Sequence, residues 1–237
     1  MPKLASHTAK TMALQIIPFQ TSINTAYLLK DRGAVLVDAG YVGCAESFSK
    51  LLASHQIEPE EIQLIIPTHG DFDHAGGAEE LRVLTGAKIA LHEKDRDIVE
   101  QGLFHWPNGA SPWGKLSRAM LMPFLKKKVT PHPTSLDLVL GDDGMSLKEY
   151  GIDGQVVYTP GHTYGSISVV LESGDAFVGC LAHNRPPFVL KPRLPIYALD
   201  IELLKESWVK VIELGAQTIW PGHGKAFPIE KILKYLN

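Results

Sequence analysis

Three apolar segments of this chain each run into a turn that carries a histidine. In LIIPTHGDFDHAGG (64–77), four apolar residues are followed by two histidines and two aspartates within six positions. The segments VVYTPGHT and TIWPGHG place His162 and His223 in the same way, just beyond an apolar run and a proline or glycine. Such a run is typical of a buried strand that stops at the edge of a sheet. The pattern therefore favours a fold in which buried strands carry imidazoles to a sheet edge.

These histidines are candidates for one shared metal site. A single histidine after a strand is more often a structural, hydrogen-bonded residue. Three of them, together with the His-x-Asp-x-Asp-His cluster of residues 69–74, reverse that preference. Rigid strand ends suit metal ligands, because their positions must be held within a few tenths of an ångström. We therefore predict that the three strand ends converge on metal.

The cluster at 69–74 has the spacing of two ligand pairs. His69 and Asp71 alternate, as two ligands on an extended segment do when they face one way. Asp73 and His74 lie where a helix is predicted to begin, so the turn can bring them to a neighbouring point. Two ions about 3.5–4 Å apart can hold a bridging hydroxide and bind the oxygens of a substrate. Since the ions acidify that water, no serine or cysteine nucleophile is needed.

The rest of the chain forms two strand-rich halves, each of which ends in helix. Such halves favour packed sheets with helices on the outside. The predicted strands are 13–19, 24–30, 34–38, 62–67, 87–91, 136–140, 155–160, 166–171, 175–179 and 218–224. The predicted helices are 41–56, a helix that begins at HAGG and stops at Gly86, 200–214 and 228–236.

Residues 100–135 differ from both halves. They mix large aromatic residues and methionines with prolines, a composition that linkers seldom have. We predict a helical insertion in a single domain of residues 1–237. Its apolar face would cover the site, with Trp106 and Phe124 as part of the roof, or would form a dimer surface.

Composition limits the possible partners and locations. No run reaches the roughly 18 apolar residues of a membrane span, and the N-terminus has no apolar run typical of a secretory signal. Two cysteines provide no disulfide framework, which favours a reducing cytoplasm. The lysines at 126–128 form the one strong basic run and are interpreted as a solvated face. We expect a small-molecule substrate, no nucleic acid, no membrane and a possible homodimer.

Four motifs occur in an order that resembles the metallo-β-lactamase superfamily over nearly the whole chain. They are LVDAG (36–40), THGDFDHAGG (68–77), TPGHT (159–163) and PGHG (221–224). The resemblance implies an α+β fold, a four-layer αββα metallo-β-lactamase-like sandwich with the metal site at one edge of the two sheets. Asp38 in LVDAG matches a residue that usually lies near the site without binding metal. Its alternative interpretation is a turn residue at a strand end.

The resemblance also implies two ligand sets. Position 71, with His69 and His162, would bind one ion. Asp73, His74 and His223 would bind the other. In the superfamily, an aspartate that bridges both ions completes the pattern.

Two residues depart from that pattern. Asp71 stands where the superfamily has a histidine, and a carboxylate favours iron or manganese more than imidazole does. Flavodiiron proteins are similar at this position, but their flavodoxin domain has no counterpart in these 237 residues. Cys180 stands at the place of the bridging aspartate, 18 residues after His162. Its thiolate would be a soft ligand that suits zinc, or its thiol would be a small buried apolar group.

Several other polar residues have weaker claims to a role. Asp175 is the carboxylate nearest to Cys180 in the sequence, but it is expected at the far end of its strand. Tyr164, His183 and Asn184 could donate to a developing oxyanion, or they could be ordinary loop residues. His92 is interpreted as a helix-start residue. His105 and His132 belong to the insertion and could contact substrate.

The sequence as a whole predicts a metal-dependent hydrolase. A metal-bound hydroxide would attack an ester, lactone, thioester or amide carbonyl, and Asp73 would bind metal and orient or transfer a proton. Two divalent ions are expected, with zinc the leading candidate and iron or manganese kept open by Asp71. The alternatives are an iron-dependent redox or dioxygenase enzyme on the same fold, and a non-catalytic homologue with a drifted metal site.

Overall fold

The computed structural model describes residues 13–185 and 190–236, which form two six-stranded sheets flanked by helices. The first sheet contains β1 Gln15–Gln20, β2 Thr25–Lys30, β3 Ala34–Val37, β4 Ile62–Ile66, β5 Lys88–His92 and β6 Leu138–Leu140, in that order. The second contains β12 Phe227–Pro228, β11 Thr218–His223, β10 Asp175–His183, β9 Ile167–Leu171, β8 Gly154–Tyr158 and β7 Met145–Ser146. The helices are α1 Ala45–Ser54, α2 Ala78–Thr85, α3 Arg96–Glu100, α4 Pro112–Lys128, α5 Ile201–Glu213 and α6 Glu230–Leu233.

The inner strands β2 to β5 of the first sheet are largely buried on both faces, and alternate residues enter different cores. In β2, Ala26 and Leu28 pack in the core that contains Phe48 and Leu52 of α1. Tyr27 and Leu29 pack between the two sheets. This division follows from the two-residue period of a strand. A third core lies on the outer side of the second sheet and contains Trp208 of α5. The predicted α+β fold with αββα layers is therefore confirmed.

Strand direction brings the candidate residues to one edge of each sheet. β3 and β4 are parallel, so Asp38 and His69 follow their ends on the same side. β8 and β10 are both antiparallel to β9, and β11 is parallel to β10. The residues that follow β8 and those that end β10 and β11 therefore meet at one edge of the second sheet.

Several predicted boundaries are wrong, among them the start of α1, which was predicted at residue 41 and lies at Ala45. The helix predicted from HAGG begins at Ala78, because residues 71–75 form a turn in which the Asp71 carbonyl accepts from the His74 and Ala75 amides, both at 2.9 Å. β10 continues to His183 rather than ending near Gly179, so His183 belongs to a strand and not to a loop. The closing helix is limited to α6.

The insertion is built around α4. Ser111 caps this helix by accepting from the Gly114 amide at 3.1 Å, and Pro112 opens it. Gly114 and Ser117 form its buried inner face, and the Ser117 hydroxyl lies 2.9 Å from that of Tyr197. Among the described residues, no helix has both the length and the apolar content needed to cross a bilayer.

Candidate metal centre

His69, Asp71 and His162 form a compact group of ligand atoms, here called the first triad. Asp71 Oδ2 lies 3.2 Å from His162 Nε2 and 3.5 Å from His69 Nε2. All three side chains are buried. The turn that follows β4 and the turn that follows β8 supply them, as the sequence pattern predicts.

Asp73, His74 and His223 form a second group, here called the second triad. Asp73 Oδ2 lies 3.3 Å from His223 Nε2 and 3.8 Å from His74 Nε2. The ring centroids of His69 and His74 are 4.0 Å apart, so the two triads are adjacent. The structure thus brings together all six residues that the sequence assigned to two ions.

Cys180 lies between the triads. Its Sγ is 3.3 Å from His74 Nε2, and it groups with His69 and His74 on one side and with His183 and His223 on the other. Asp175 is remote from this centre, since its Oδ1 accepts from the Trp220 indole at 2.8 Å near the start of β10. Cys180 therefore occupies the shared position where the resemblance implies a bridging aspartate.

The outer nitrogen of each histidine has a hydrogen-bond partner that fixes the ring. His162 Nδ1 donates to the Tyr197 carbonyl at 2.9 Å, and His223 Nδ1 donates to the Ile23 carbonyl at 2.8 Å. His74 Nδ1 is 2.8 Å from Asp38 Oδ2. Because a carbonyl can only accept, the neutral rings of His162 and His223 carry their proton on Nδ1. Their Nε2 lone pairs then point into the centre, as metal-ligating imidazoles require.

Asp38 supports both triads. Its Oδ1 accepts from the Thr68 amide at 2.7 Å and from the Thr68 hydroxyl at 2.8 Å, and that hydroxyl lies 2.9 Å from His69 Nδ1. Its Oδ2 accepts from His74. Asp38 has a φ of 63°, in the left-handed region that a non-glycine residue seldom adopts. In this strained turn, one carboxylate accepts from Thr68, which holds His69 of the first triad, and from His74 of the second triad. Asp38 thus supports both triads without being a ligand.

Two observations fit a cation at the centre. The buried Nε2 atom of His69 has no hydrogen-bond partner. The Nε2 atoms of His74 and His223 face each other at 3.1 Å. Two lone pairs at this distance repel unless a proton or a metal ion lies against them, and the donor set of imidazole, carboxylate and thiol suits a divalent transition metal.

The buried charges are strongly coupled. Burial opposes ionisation of Cys180, but the facing imidazoles of His74, His162 and His223 hold the pKa of this thiol well below its ordinary value. Burial alone would lower the pKa of His162, yet Cys180 and Asp71 raise it to about 10. The centre therefore pairs negative ligands with positive charge, which is the charge distribution a metal cation would satisfy.

Sequence reasoning named His105 only as a residue that could contact substrate, and it did not predict the contact of His105 with a member of the first triad. His105 Nδ1 lies 2.5 Å from Asp71 Oδ1, so the insertion contacts the first triad directly. Burial would raise the pKa of Asp71, but hydrogen bonds from His105 and His162 and the neighbouring His69 imidazole hold it well below its ordinary value. No local pattern marks His105. The sequence did contain one signal for this contact: position 71 lacks the histidine of the superfamily, and the insertion contains histidines without an assigned role.

A cavity of about 430 Å³ opens above the centre, and most of its lining is apolar. Trp106 lines it, as predicted, together with Leu121 and Leu125 of α4. The prediction for Phe124 is wrong, because this side chain is 70% exposed on the outer face of α4. The other apolar or aromatic lining residues are Ile23, Tyr41, Phe72, Ile196 and Tyr197.

The remaining candidates divide into two groups. His183 lines the cavity, and its buried Nε2 has no partner. His92 accepts from the Lys94 amide and begins a short helical turn, as predicted. His132 lies 3.9 Å from Glu80 at the surface, Asn184 accepts from the Lys225 amide at 2.8 Å, and Tyr164 is exposed. Of these residues, only His183 faces the centre.

Comparison with known proteins gives a consistent result. The sequence profile described as "Metallo-beta-lactamase superfamily" matches residues 20–223. A beta-lactamase-like protein 2 homolog from Drosophila melanogaster is 26% identical over 216 residues, covering 90% of this chain and 63% of the relative. The chain thus spans less than two thirds of that relative. The probable metallo-hydrolase YflN of Bacillus subtilis is 28% identical over 208 residues, covering 80% of this chain and 75% of the relative.

A further curated relative and a solved structure agree. The hydroxyacylglutathione hydrolase GloC of Haemophilus influenzae is 26% identical over 172 residues, with 71% of each chain covered. The crystal structure of the B3 metallo-beta-lactamase BLEG-1 superposes with a TM-score of 0.67 at 23% identity, covering 92% of this chain and 95% of that one. At this identity the structural match shows a shared fold.

Proposed function

The chain belongs to the metallo-beta-lactamase superfamily, and we propose that it is a metal-dependent hydrolase of a small molecule with an ester, lactone, thioester or amide carbonyl. Its relatives support a metallo-hydrolase at the level of the family. The observation that carries the proposal is the pair of adjacent triads at the base of an apolar cavity. Such a cavity is the usual form of a small-molecule site.

The two triads would hold two divalent ions, with Cys180 between them. When bound, the ions supply an acidified water as nucleophile and polarise the carbonyl. The four imidazoles and the thiolate favour zinc, and Asp71 leaves iron or manganese open. In this proposal Asp73 would bind an ion through one carboxylate oxygen, and its second oxygen would orient the water and accept its proton.

The cavity suggests how a substrate is held. Trp106, Leu121 and Leu125 would pack against an apolar acyl group while its carbonyl reaches the triads. Burial lowers the pKa of His183 to about 4, so this ring is neutral near neutral pH and can hydrogen-bond a substrate oxygen through its free Nε2. The substrate class is thus a small, partly apolar carbonyl compound.

Metal analysis combined with a substrate panel tests the proposal. Purified protein should contain two equivalents of zinc and hydrolyse at least one ester, lactone, thioester or amide. Chelation should abolish that hydrolysis, and added zinc should restore it. Protein that holds two zincs and cleaves none of these bonds would contradict the hydrolase. Substoichiometric metal would instead favour the non-catalytic homologue.

A second candidate follows from Asp71. A carboxylate in the first triad favours iron, and an iron centre would support redox or dioxygenase chemistry. Iron as the metal of the purified protein, with oxygen consumption that depends on a thiol or sulfide substrate, would favour this candidate. The cytoplasmic location expected from the two unpaired cysteines stays a prediction.

A further inference from the structure

The outer face of α4 carries an apolar stripe that contacts no core of the described domain. Trp113, Leu116, Met120 and Phe124 recur at intervals of three and four residues, which places them on one side of the helix. They are 54%, 54%, 61% and 70% exposed. The inner face, with Gly114 and Ser117, already packs against the domain. Folding of the described domain therefore does not require the stripe.

The same helix is strongly basic. Its 17 residues include Lys115, Arg118, Lys126, Lys127 and Lys128 and no acidic residue. The net charge of the whole chain is −3, so α4 is a local reversal of charge. A helix with exposed Trp, Phe and Leu on one side and lysines beside them has the composition of a helix that lies in a membrane interface.

We propose that α4 docks on an anionic lipid surface, with its apolar stripe in the interface and its lysines on the headgroups. The positive charge of α4 favours a lipid surface over a second copy of the chain. Arg118 is partly buried and donates to the Trp106 carbonyl, which leaves four exposed lysines on α4. Two copies meeting along α4 would bring these four cations against four, whereas an anionic surface complements them. The expectation of no membrane partner rested on the absence of a spanning segment, which an interfacial helix does not need.

Docking of α4 on lipid would also affect access to the cavity. Leu121 and Leu125 of the same helix line the cavity above the triads. A docked α4 would place a helix that lines the cavity at the lipid surface, so that an amphiphilic molecule could enter from the interface. The docking itself does not depend on the proposed hydrolysis, and it can be measured without any substrate.

Sedimentation with vesicles tests the charge. The full chain should bind vesicles that contain phosphatidylglycerol and phosphatidylcholine, and it should bind pure phosphatidylcholine much less. Replacing Lys126 and Lys127 by Gln should weaken binding about thirtyfold, since each lysine near an anionic surface contributes about a factor of five. The matched control replaces Lys231 of α6 and Lys234 directly after it by Gln, both exposed, and should bind normally.

A second pair of variants tests the stripe. Trp113→Ser with Phe124→Ser should reduce binding by about tenfold or more, because two large apolar groups no longer enter the interface. Val83→Ser removes an apolar side chain that is 79% exposed on α2 and should change nothing. All these positions are exposed, so unchanged thermal unfolding will show that the variants fold.

The proposal fails if vesicles containing phosphatidylglycerol do not sediment the protein, or if both control variants lose binding equally. It also fails if the chain ignores vesicles but forms a dimer that Trp113→Ser with Phe124→Ser dissociates. In that case the stripe is an interface between two copies.

Discussion

The two triads share a centre but are held by different parts of the molecule. The second triad is supported from the first sheet and the turn beside it: Asp38 fixes His74, and the Ile23 carbonyl fixes His223. In the first triad only His69 has such support, through Thr68. Asp71 accepts from His105 of the insertion, and His162 donates to the carbonyl of Tyr197, a residue in contact with α4.

Because of this difference, the two triads need not respond alike to a substitution in their supporting residues. The second triad depends on elements that the sandwich itself must form. Part of the first triad depends on the insertion and on the segment it packs against. A change at His105, the insertion residue that contacts Asp71, should therefore alter the first triad while leaving the second intact, whereas a change at Asp38 should damage both.

The largest effect is expected at Asp38. Asp38→Ala removes a buried carboxylate and leaves the Thr68 amide, the Thr68 hydroxyl and His74 Nδ1 without their acceptor. Loss of a buried charged partner costs about 3–5 kcal/mol, so the free energy of unfolding should fall by that amount and both metals should be lost. Urea unfolding and elemental analysis measure the two effects.

Asp38→Asn refines this prediction. Asparagine tolerates the left-handed φ and keeps an oxygen for Thr68, but its amide nitrogen cannot accept from His74. We expect the second triad to lose metal more than the first. Asp143→Ala, at an exposed aspartate, is the control. Full metal content in Asp38→Ala would contradict the shared support.

Removing one imidazole from each triad should give the next largest effect. His162→Ala and His223→Ala each leave a triad with two of its three ligands, so each variant should bind one metal equivalent instead of two. Because the Nε2 atoms of His69 and His74 remain, the other triad should stay loaded. Elemental analysis after dialysis measures the ratio. Two equivalents in His162→Ala would remove it from the ligand set.

Cys180 should report on both triads through its reactivity. After chelation the facing imidazoles keep its pKa low, so Cys180 should alkylate with iodoacetamide near pH 7 and continue to react as the pH falls toward 6. Burial and Glu80 raise the pKa of Cys44 to about 12, so Cys44 stays a thiol across this range and serves as the internal control. Bound metal should protect Cys180.

Two further measurements separate a ligand from a bystander. Cys180→Ala should weaken at least one metal site, and Cys180→Asp should keep two metals and maintain or raise hydrolysis. If alkylation of Cys180 proceeds equally fast with and without metal, and Cys180→Ala keeps full metal, the thiol is a bystander and the site consists of histidines and aspartates.

His105 tests the difference between the triads most directly. His105→Ala should lower metal affinity of the first triad by about 10–100-fold, the usual effect of removing a group that orients a ligand. The second triad should be unchanged. Chelation should also increase amide exchange around residues 103–107 in the wild type, and His105→Ala should remove that response. His132→Ala, a surface histidine of the same insertion, is the control. Loss of both metals in His105→Ala would show that the triads are not separately supported.

Local sequence patterns predicted packed sheets with outer helices and the convergence of three strand-end histidines, and the resemblance to the superfamily implied the αββα fold and the two ligand sets. Short apolar runs between turn residues predict strands, and His69, His162 and His223 follow strand ends whose directions the topology aligns. The contact between His105 and Asp71 joins residues 34 positions apart. His105 lies on the irregular segment between α3 and α4, which has no repeating pattern, so no local rule could give the contact.

Helical spacing alone also misplaced Phe124. Apolar residues lie on two sides of α4, and only tertiary packing decides which side meets the cavity. The start of α2 was misplaced for a similar reason. The Ala39 amide donates to the His74 carbonyl at 2.7 Å, and this long-range bond holds residues 71–75 in a turn rather than in the helix.

The smallest effect is expected on KM, where a substitution at a cavity residue of the insertion should differ from one at a surface residue. Trp106 lines the cavity and packs on Tyr197 with ring centroids 4.8 Å apart, whereas Phe124 is exposed. Trp106→Ala should raise KM for an apolar acyl substrate by about tenfold, because contact with the acyl group is lost while the triads remain loaded. Phe124→Ala should leave KM for a soluble substrate unchanged. A rise in KM for Phe124→Ala would contradict the division of the insertion into a cavity face and a surface face. An equal loss of metal in both variants would mean that the insertion supports the centre as one unit. The contrast between the triads would then lie in Asp71 and His105 alone.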